Sequence, residues 1–201
     1  MAESIYPKRS ASVVRTTKET DVSVKLTLDG TGQYKNQTGV GFLDHMLDLF
    51  AKHAQFDLET TCSGDLNVDE HHTVEDVGIC LGQALRKALG DKARITRYGH
   101  AYVPMDEVLA RTVIDLSGRF AIHFESKFDR PTVGDLATEL VQHFWYSFAE
   151  HAACTLHISV PYGTNTHHKI EAIFKSAARA LNIAVQQSAT NAVMPSTKGT
   201  L

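Results

Sequence analysis

The chain has 201 residues, 43% of them hydrophobic and 21% charged, with a formal net charge of −3. That length can bury a core without disulfide or metal staples. The charge offers no basic footprint for nucleic acid, and no apolar run approaches the roughly 20 residues that span a bilayer. Met1 to Ser10 is polar and lacks the apolar core of a signal peptide, so cytoplasmic residence is the expectation. Cys62, Cys80 and Cys154 have no C-x-x-C spacing and read as reduced, buried thiols.

Val22 to Leu28 alternates like a half-buried strand and ends at the turn signal Asp29-Gly30. Phe42 to Ala54 carries apolar residues at helical spacing, and Phe56 to Cys62 reads as a strand. His71 to Leu89 has a helical stripe of Val74, Val77, Cys80, Leu81, Leu85 and Leu89, closed by Gly90. Val108 to Leu116 is β-branched and apolar and stops at Ser117-Gly118. A helix is expected from about Gly134 to Ala152, with Thr132 and Asp135 resembling a capping box. A strand over Thr155 to Val160 and a helix from His167 to about Gln186 follow, then an unpatterned tail.

These elements repeat. His45-x4-Phe50-Ala51-x-His53-Ala54-x3-Leu58 recurs without a gap as His143-x4-Phe148-Ala149-x-His151-Ala152-x3-Leu156. His71-His72-Thr-Val-Glu75 recurs as His167-His168-Lys-Ile-Glu171, and a weaker match relates Glu19 before Gly30 to Glu107 before Gly118. Two copies suggest duplication and not a solenoid, which needs three or more repeats. The expected architecture is one α+β domain over 1–201. It is internally duplicated into pseudo-symmetric strand/helix halves, about 9–92 and 93–190, whose sheets are covered on one face by helices. An arm over 191–201 completes the chain.

Each H-H-x-x-E block carries metal-ligand chemistry. Residues four apart share a helix face, so His71 pairs with Glu75 and His167 with Glu171, while His72 and His168 are turned away by about 100°. His45 and His143 add one imidazole each from the preceding helices. A lone helical histidine is usually a surface or satisfied core residue, but a duplicated helix has no physical need to keep three histidines and a glutamate in register. Six imidazoles and two carboxylates without a thiolate favour manganese, iron or zinc in an open, catalytic site. Repeat symmetry leaves two partitions of the eight ligands between two ions. His53 and His151 are open between substrate contact, ordering of a ligand, and packing at the helix ends.

Gly41-Phe-Leu-Asp-His-Met-Leu47, Asp69-Glu-His-His-Thr-Val-Glu-Asp-Val77, Arg97-Tyr98-Gly99, Pro104-Met-Asp-Glu107, Asp115-Leu-Ser-Gly-Arg119, the run from His167 to Lys175, and Pro195-Ser-Thr-Lys-Gly199 together resemble the imidazoleglycerol-phosphate dehydratase family of histidine biosynthesis. The resemblance runs from about residue 9 to the C-terminus. It implies two Mn2+ per subunit, a homo-oligomer of 24 subunits with active sites between neighbours, and dehydration of a phosphorylated imidazole substrate, with no nucleic-acid or membrane partner. It also favours one ligand partition: His71, Glu75, His143 and His168 on one ion, and His45, His72, His167 and Glu171 on the other. By the same resemblance Glu19 is the general base, with Asp106 and Lys175 as supporting groups near the substrate hydroxyls. Arg97, Arg119, Ser196, Thr197 and Lys198 form a phosphate cradle, and His45 and His53 contact substrate. On sequence alone Glu19 would pass for a solvated turn residue. Two other classes compete: a two-metal hydrolase, whose ions would sit about 3.5–4 Å apart, and a metal-binding storage assembly, which leaves the arginines and the tail without a role.

Overall fold

The computed structural model describes residues 8–187 and 195–196. The first half runs β1 (Ser10–Thr16), β2 (Thr20–Thr27), β3 (Tyr34–Gln37), α1 (Gly41–Ala54), β4 (Asp57–Gly64) and α2 (His71–Leu89). The second runs β5 (Tyr98–Met105), β6 (Val108–Asp115), β7 (Ala121–Glu125), the short pair β8 (Thr132–Val133) and β9 (Leu136–Ala137), α3 (Glu139–Ala152), β10 (Thr155–Tyr162) and α4 (Thr166–Val185). Each half forms a four-stranded sheet of the same topology, β1-β2-β4-β3 and β5-β6-β10-β7. In each, only the last strand of that order pairs in parallel. The α+β class and the two similar halves expected from the repeat are therefore present.

Strand alternation sets the layers. In β2, Thr20, Val22, Val24 and Leu26 are buried while Asp21, Ser23, Lys25 and Thr27 are not, as a period of two requires when one face is covered. The helices α1 and α2 lie on the first sheet and α4 lies on the second, while α3 packs on β7; α2 meets α3, and α1 meets α4. Where the four helices meet, Phe50, Phe144, Trp145, Phe148 and Phe174 stack in tilted and edge-on pairs with ring centroids 4.9–6.5 Å apart. Gly78 and Gly82 let α2 approach α3 closely, because a Cβ at either would run into the α3 backbone. The two main helix packings, α2 on α3 and α1 on α4, thus each join one half to the other.

Three expectations are corrected. The third helix begins at Glu139 and not near Gly134, because residues 132–137 form the β8–β9 hairpin around Gly134, whose φ is 60°. Thr132 and Asp135 therefore form no capping box on that helix. Asp135 instead accepts backbone N–H bonds from Gly41 (2.6 Å) and Phe42 (2.9 Å), and so caps α1 in the other half. Cys80 and Cys154 are buried free thiols, pushed up to about 12 by burial, whereas Cys62 is only partly covered. Among the described residues no helix is long and apolar enough to cross a membrane.

Candidate metal centres and active site

The ligand helices begin where their sequences lead. In α2, His71 N–H donates to Asp69. In α4, Asn165 is the N-cap, its side-chain oxygen accepting from the backbone N–H groups of His167 and His168. Both helices open on their histidine pairs, and in each pair the rings stand nearly perpendicular, 80° for His71 with His72 and 85° for His167 with His168. The first histidine of each pair faces the helix interface and the second faces away.

Two clusters result. His45, His167 and Glu171 offer ligand atoms within 4.8 Å of one another, as do His71, Glu75 and His143. Glu171 Oε1 lies 2.9 Å from His167 Nε2 and 3.4 Å from His45 Nε2, and Glu75 Oε1 lies 3.1 Å from His143 Nε2. Each cluster draws on both halves through the α1–α4 and α2–α3 contacts. Burial opposes charge on Glu171, but the Lys175 ammonium at 2.5 Å and the His167 and His45 imidazoles outweigh it and hold the carboxyl down at about 2.

His72 and His168 lie in neither cluster, yet both are held. Asp65 is 3.0 Å from His72 Nδ1, and Glu107 is 3.0 Å from His168 Nδ1. Asp65 raises the His72 pKa, and His168, with the Asn165 and Thr164 amides, holds the Glu107 carboxyl well below the usual range. A carboxylate on Nδ1 directs Nε2 outward as the coordinating nitrogen. At that outward nitrogen stand the two acids singled out from the sequence: Glu19 is 3.9 Å from His72 Nε2, and Asp106 is 3.8 Å from His168 Nε2. Both occupy hairpin turns between the first two strands of their halves. Asp65 and Glu107 were missed by sequence reasoning. The weak Glu19/Glu107 match was the available signal for Glu107, and Asp65 carried none.

Lys175 sits beside Glu171 on α4. His53, half-buried, has its pKa lowered by burial and by the cations Lys175 and Arg179. It lines a cleft of about 440 Å³ with Lys52, His100, Tyr102, Arg179 and Asn182. His151 is 2.9 Å through Nδ1 from the Ser147 carbonyl, one turn back on α3. The arginines lie elsewhere. Arg97 donates to Asp115 through Nε (2.7 Å) and Nη2 (3.1 Å), and to the Pro195 carbonyl through Nη1 (2.7 Å). Arg119 is exposed in the turn after β6. Asp115 pairs with Thr155 at the start of β10, while the α4 end of that strand pairs with Leu109. Arg97 and Arg119 are therefore at the opposite end of the sheet from the His167–His168 pair of the same chain, roughly 20 Å away by strand rise. The Pro195 carbonyl borders Arg97 and Ser196 follows it in the chain; Thr197, Lys198 and most of the expected 191–201 arm lie outside the described residues.

Comparison with known proteins bears on this geometry. A family model described as imidazoleglycerol-phosphate dehydratase matches residues 38–181. An imidazoleglycerol-phosphate dehydratase of Salinibacter ruber is 63% identical over 201 residues, covering all of both chains. One of Chloroherpeton thalassium is 54% identical, covering 97% of this chain and 100% of its own. Among solved structures, that of the Staphylococcus aureus imidazoleglycerol-phosphate dehydratase superimposes with a TM-score of 0.81 at 41% identity, covering 89% of this chain and 99% of the other. The Pyrococcus furiosus enzyme, in complex with (S)-C348, gives 0.81 at 35% identity, covering 94% and 100%. With the duplicated α+β architecture and the paired histidine–glutamate clusters, these matches establish that the chain belongs to the imidazoleglycerol-phosphate dehydratase family, hydro-lyases of histidine biosynthesis.

Proposed function

We propose that the dehydration is carried out at sites assembled from several copies of the chain around two Mn2+ per subunit. One ion would be held by His71, Glu75, His143 and His168, the other by His45, His72, His167 and Glu171. The observation that carries this reading is the division of the eight side chains. Three of each set converge within the chain, while the fourth, His168 or His72, is braced by a carboxylate with Nε2 directed outward. A histidine so braced suits coordination in a neighbouring subunit. The donor set, imidazoles and carboxylates without a thiolate, fits manganese. When bound, the metal would act as a Lewis acid at the substrate's imidazole and make a neighbouring carbon-bound proton removable.

The remaining work falls to the chain's own residues. Glu19, exposed on its turn beside His72, accepts the carbon-bound proton. The adjacent hydroxyl leaves as hydroxide and takes up the proton that Glu19 gives back, so that one water is lost in all, and the enol becomes the ketone of imidazole acetol phosphate. Asp106 and Lys175 orient the substrate hydroxyls, and His45 and His53 contact the bound molecule. Arg97, Arg119, Ser196, Thr197 and Lys198 cradle the phosphate, for which the guanidinium fork is suited. Among the described residues, Arg97 has two donor hydrogens beyond those given to Asp115 and Pro195. Because the arginines are remote from the His167–His168 end of their own chain, the cradle and the metal ligands serving one substrate are read as coming from different subunits. An assembly of 24 subunits accords with the family resemblance. The domain is read as two repeats, about 9–92 and 93–190, plus the arm, with each ion bridging the repeats. The test is metal analysis with native mass measurement of the wild type and of H72N and H168N. Two manganese per chain are expected in the wild type and one in each variant, with a weakened assembly after chelation. An assembly unchanged by complete chelation, or full manganese in both variants, would overturn the ligand scheme.

A further inference from the structure

The hairpin turn that carries Glu19 is tied to the ligand helix α2 by buried polar groups. Asp76, next to Glu75 but facing inward, is only 4% exposed. Its carboxylate accepts from Arg15 Nε at 2.7 Å and from the Thr20 hydroxyl. Thr20 Oγ1 is 3.2 Å from Thr17 Oγ1, and Thr17 Oγ1 in turn accepts the backbone N–H of Glu19 (3.1 Å) and of Thr20 (3.0 Å). A carboxylate can only accept. The Thr20 hydroxyl must therefore donate to Asp76, leaving its oxygen to accept from Thr17, so that the Thr17 lone pairs face the Glu19 amide. One buried charge orients both hydroxyls and fixes the turn.

The other half of the molecule supplies the control. Arg15 pairs with Val22 in β1–β2, and Val103 pairs with Ala110 in β5–β6. Val22 follows Glu19 by three residues, as Ala110 follows Glu107, so the hairpins match without a gap and Thr20 corresponds to Val108. Asp76 follows Glu75 as Ala172 follows Glu171. Arg15, Thr20 and Asp76 thus answer to Val103, Val108 and Ala172. The same packing position is apolar in the half whose turn does not carry the proposed base. A polar network buried at a site that the fold can fill with apolar side chains needs a reason other than packing.

We infer that Asp76 is a positioning residue, acting through Thr20 and Thr17 to hold the Glu19 turn at a set distance from the helix that carries His71, His72 and Glu75. The inference rests on Glu19 being the base. A misplacement of about 1 Å in a reacting group costs on the order of 100-fold in rate, so the hairpin must not drift.

The test uses the full-length, manganese-loaded assembled enzyme with T20V and D76N, alone and in an E19Q background. In each single variant kcat is expected to fall on the order of 10- to 100-fold, with KM and manganese content unchanged. T20S, which returns the hydroxyl, recovers most of the kcat lost in T20V. In the E19Q background neither substitution lowers kcat further, because the group they position is already disabled. Unimpaired kcat in T20V refutes the relay even if D76N fails to assemble. So does an equal fold-loss with and without Glu19, or a loss that tracks missing manganese. Full turnover in E19Q alone brings down the base assignment, and the relay's purpose with it; impaired E19Q beside unimpaired T20V removes only the relay.

Discussion

Gly82→Ala sets two effects of opposite sign against each other. In an isolated helix the change favours folding by about 1 kcal/mol, because alanine is the better helix former. Here Gly82 is buried on α2 against α3. A Cβ would overlap the Phe148 carbonyl oxygen and stand 2.9 Å from the Ala152 nitrogen and 3.1 Å from His151 Cβ, where ordinary contact begins at 3.4 Å. Two of these neighbours are backbone atoms and cannot turn aside, so the helices must part by about half an ångström or more. Overpacking of this kind costs about 1–3 kcal/mol. The net effect is a loss of about 1 kcal/mol, which lowers Tm by about 2–4 °C in a chain of this size. Glu75 lies two turns along α2 from Gly82 and contacts His143 of α3 at 3.1 Å, so affinity for the proposed metal should fall as well. Gly78→Ala, whose Cβ would meet the Phe144 carbonyl oxygen at 2.9 Å and Ser147 Cβ at 3.2 Å, should cost less. Thermal melts with and without manganese, with calorimetric titration of the metal, check both. A Tm raised by G82A, as helix propensity alone requires, would refute the claim that this glycine is set by α2–α3 packing.

Glu19→Gln should retain metal and substrate binding and lose most turnover, since the near-isosteric amide cannot accept the proton; steady-state kinetics beside a substrate-binding measurement check it. Deleting residues 195–201 should raise the Michaelis constant strongly and leave the circular dichroism spectrum intact, because the Pro195 carbonyl anchors on Arg97 and the segment holds a lysine and hydroxyls suited to phosphate; normal KM would move the cradle elsewhere. Asp29, Asp57 and Asp135 are all held below the ordinary carboxylate range: burial opposes the charge on each, but the Arg9 guanidinium, the Thr31 and Gln33 amides, and the Phe42 and Gly41 amides respectively outweigh it. Their stabilisation is complete above the unfolded carboxylate pKa near 4 and is lost as pH falls through the lower folded values. Acid titration should thus unfold the chain below about pH 4, and Asp135→Asn, which leaves only one acceptor oxygen for the two N–H groups of Gly41 and Phe42, should cost about 1 kcal/mol at neutral pH and flatten the acid limb.

Much of this could be read along the chain because it depends on local spacing. The helix from His71 to Leu89 has the observed bounds, since a 3.6-residue stripe closed by Gly90 specifies them without help from elsewhere. The pairing of His71 with Glu75 and of His167 with Glu171, and the turning away of His72 and His168, follow from the helical repeat alone. The two-fold organisation followed from residues recurring at matched intervals. What depended on the meeting of distant segments was not available locally. Tyr34 to Gln37 has no alternation and becomes a strand only because β4 offers it a parallel edge. Asp135 caps a helix 94 residues away, so its proximity to Thr132 pointed to the wrong partner. The meeting of His143 with Glu75, and of His45 with Glu171, was decided by which helices pack together across the two halves. Repeat symmetry allows two such pairings, and only the packing of α1 on α4 and α2 on α3 selects between them. Asp65, Glu107 and Asp76 likewise acquire their partners only in three dimensions, because a carboxylate is an acceptor in any context and the fold alone decides what donates to it.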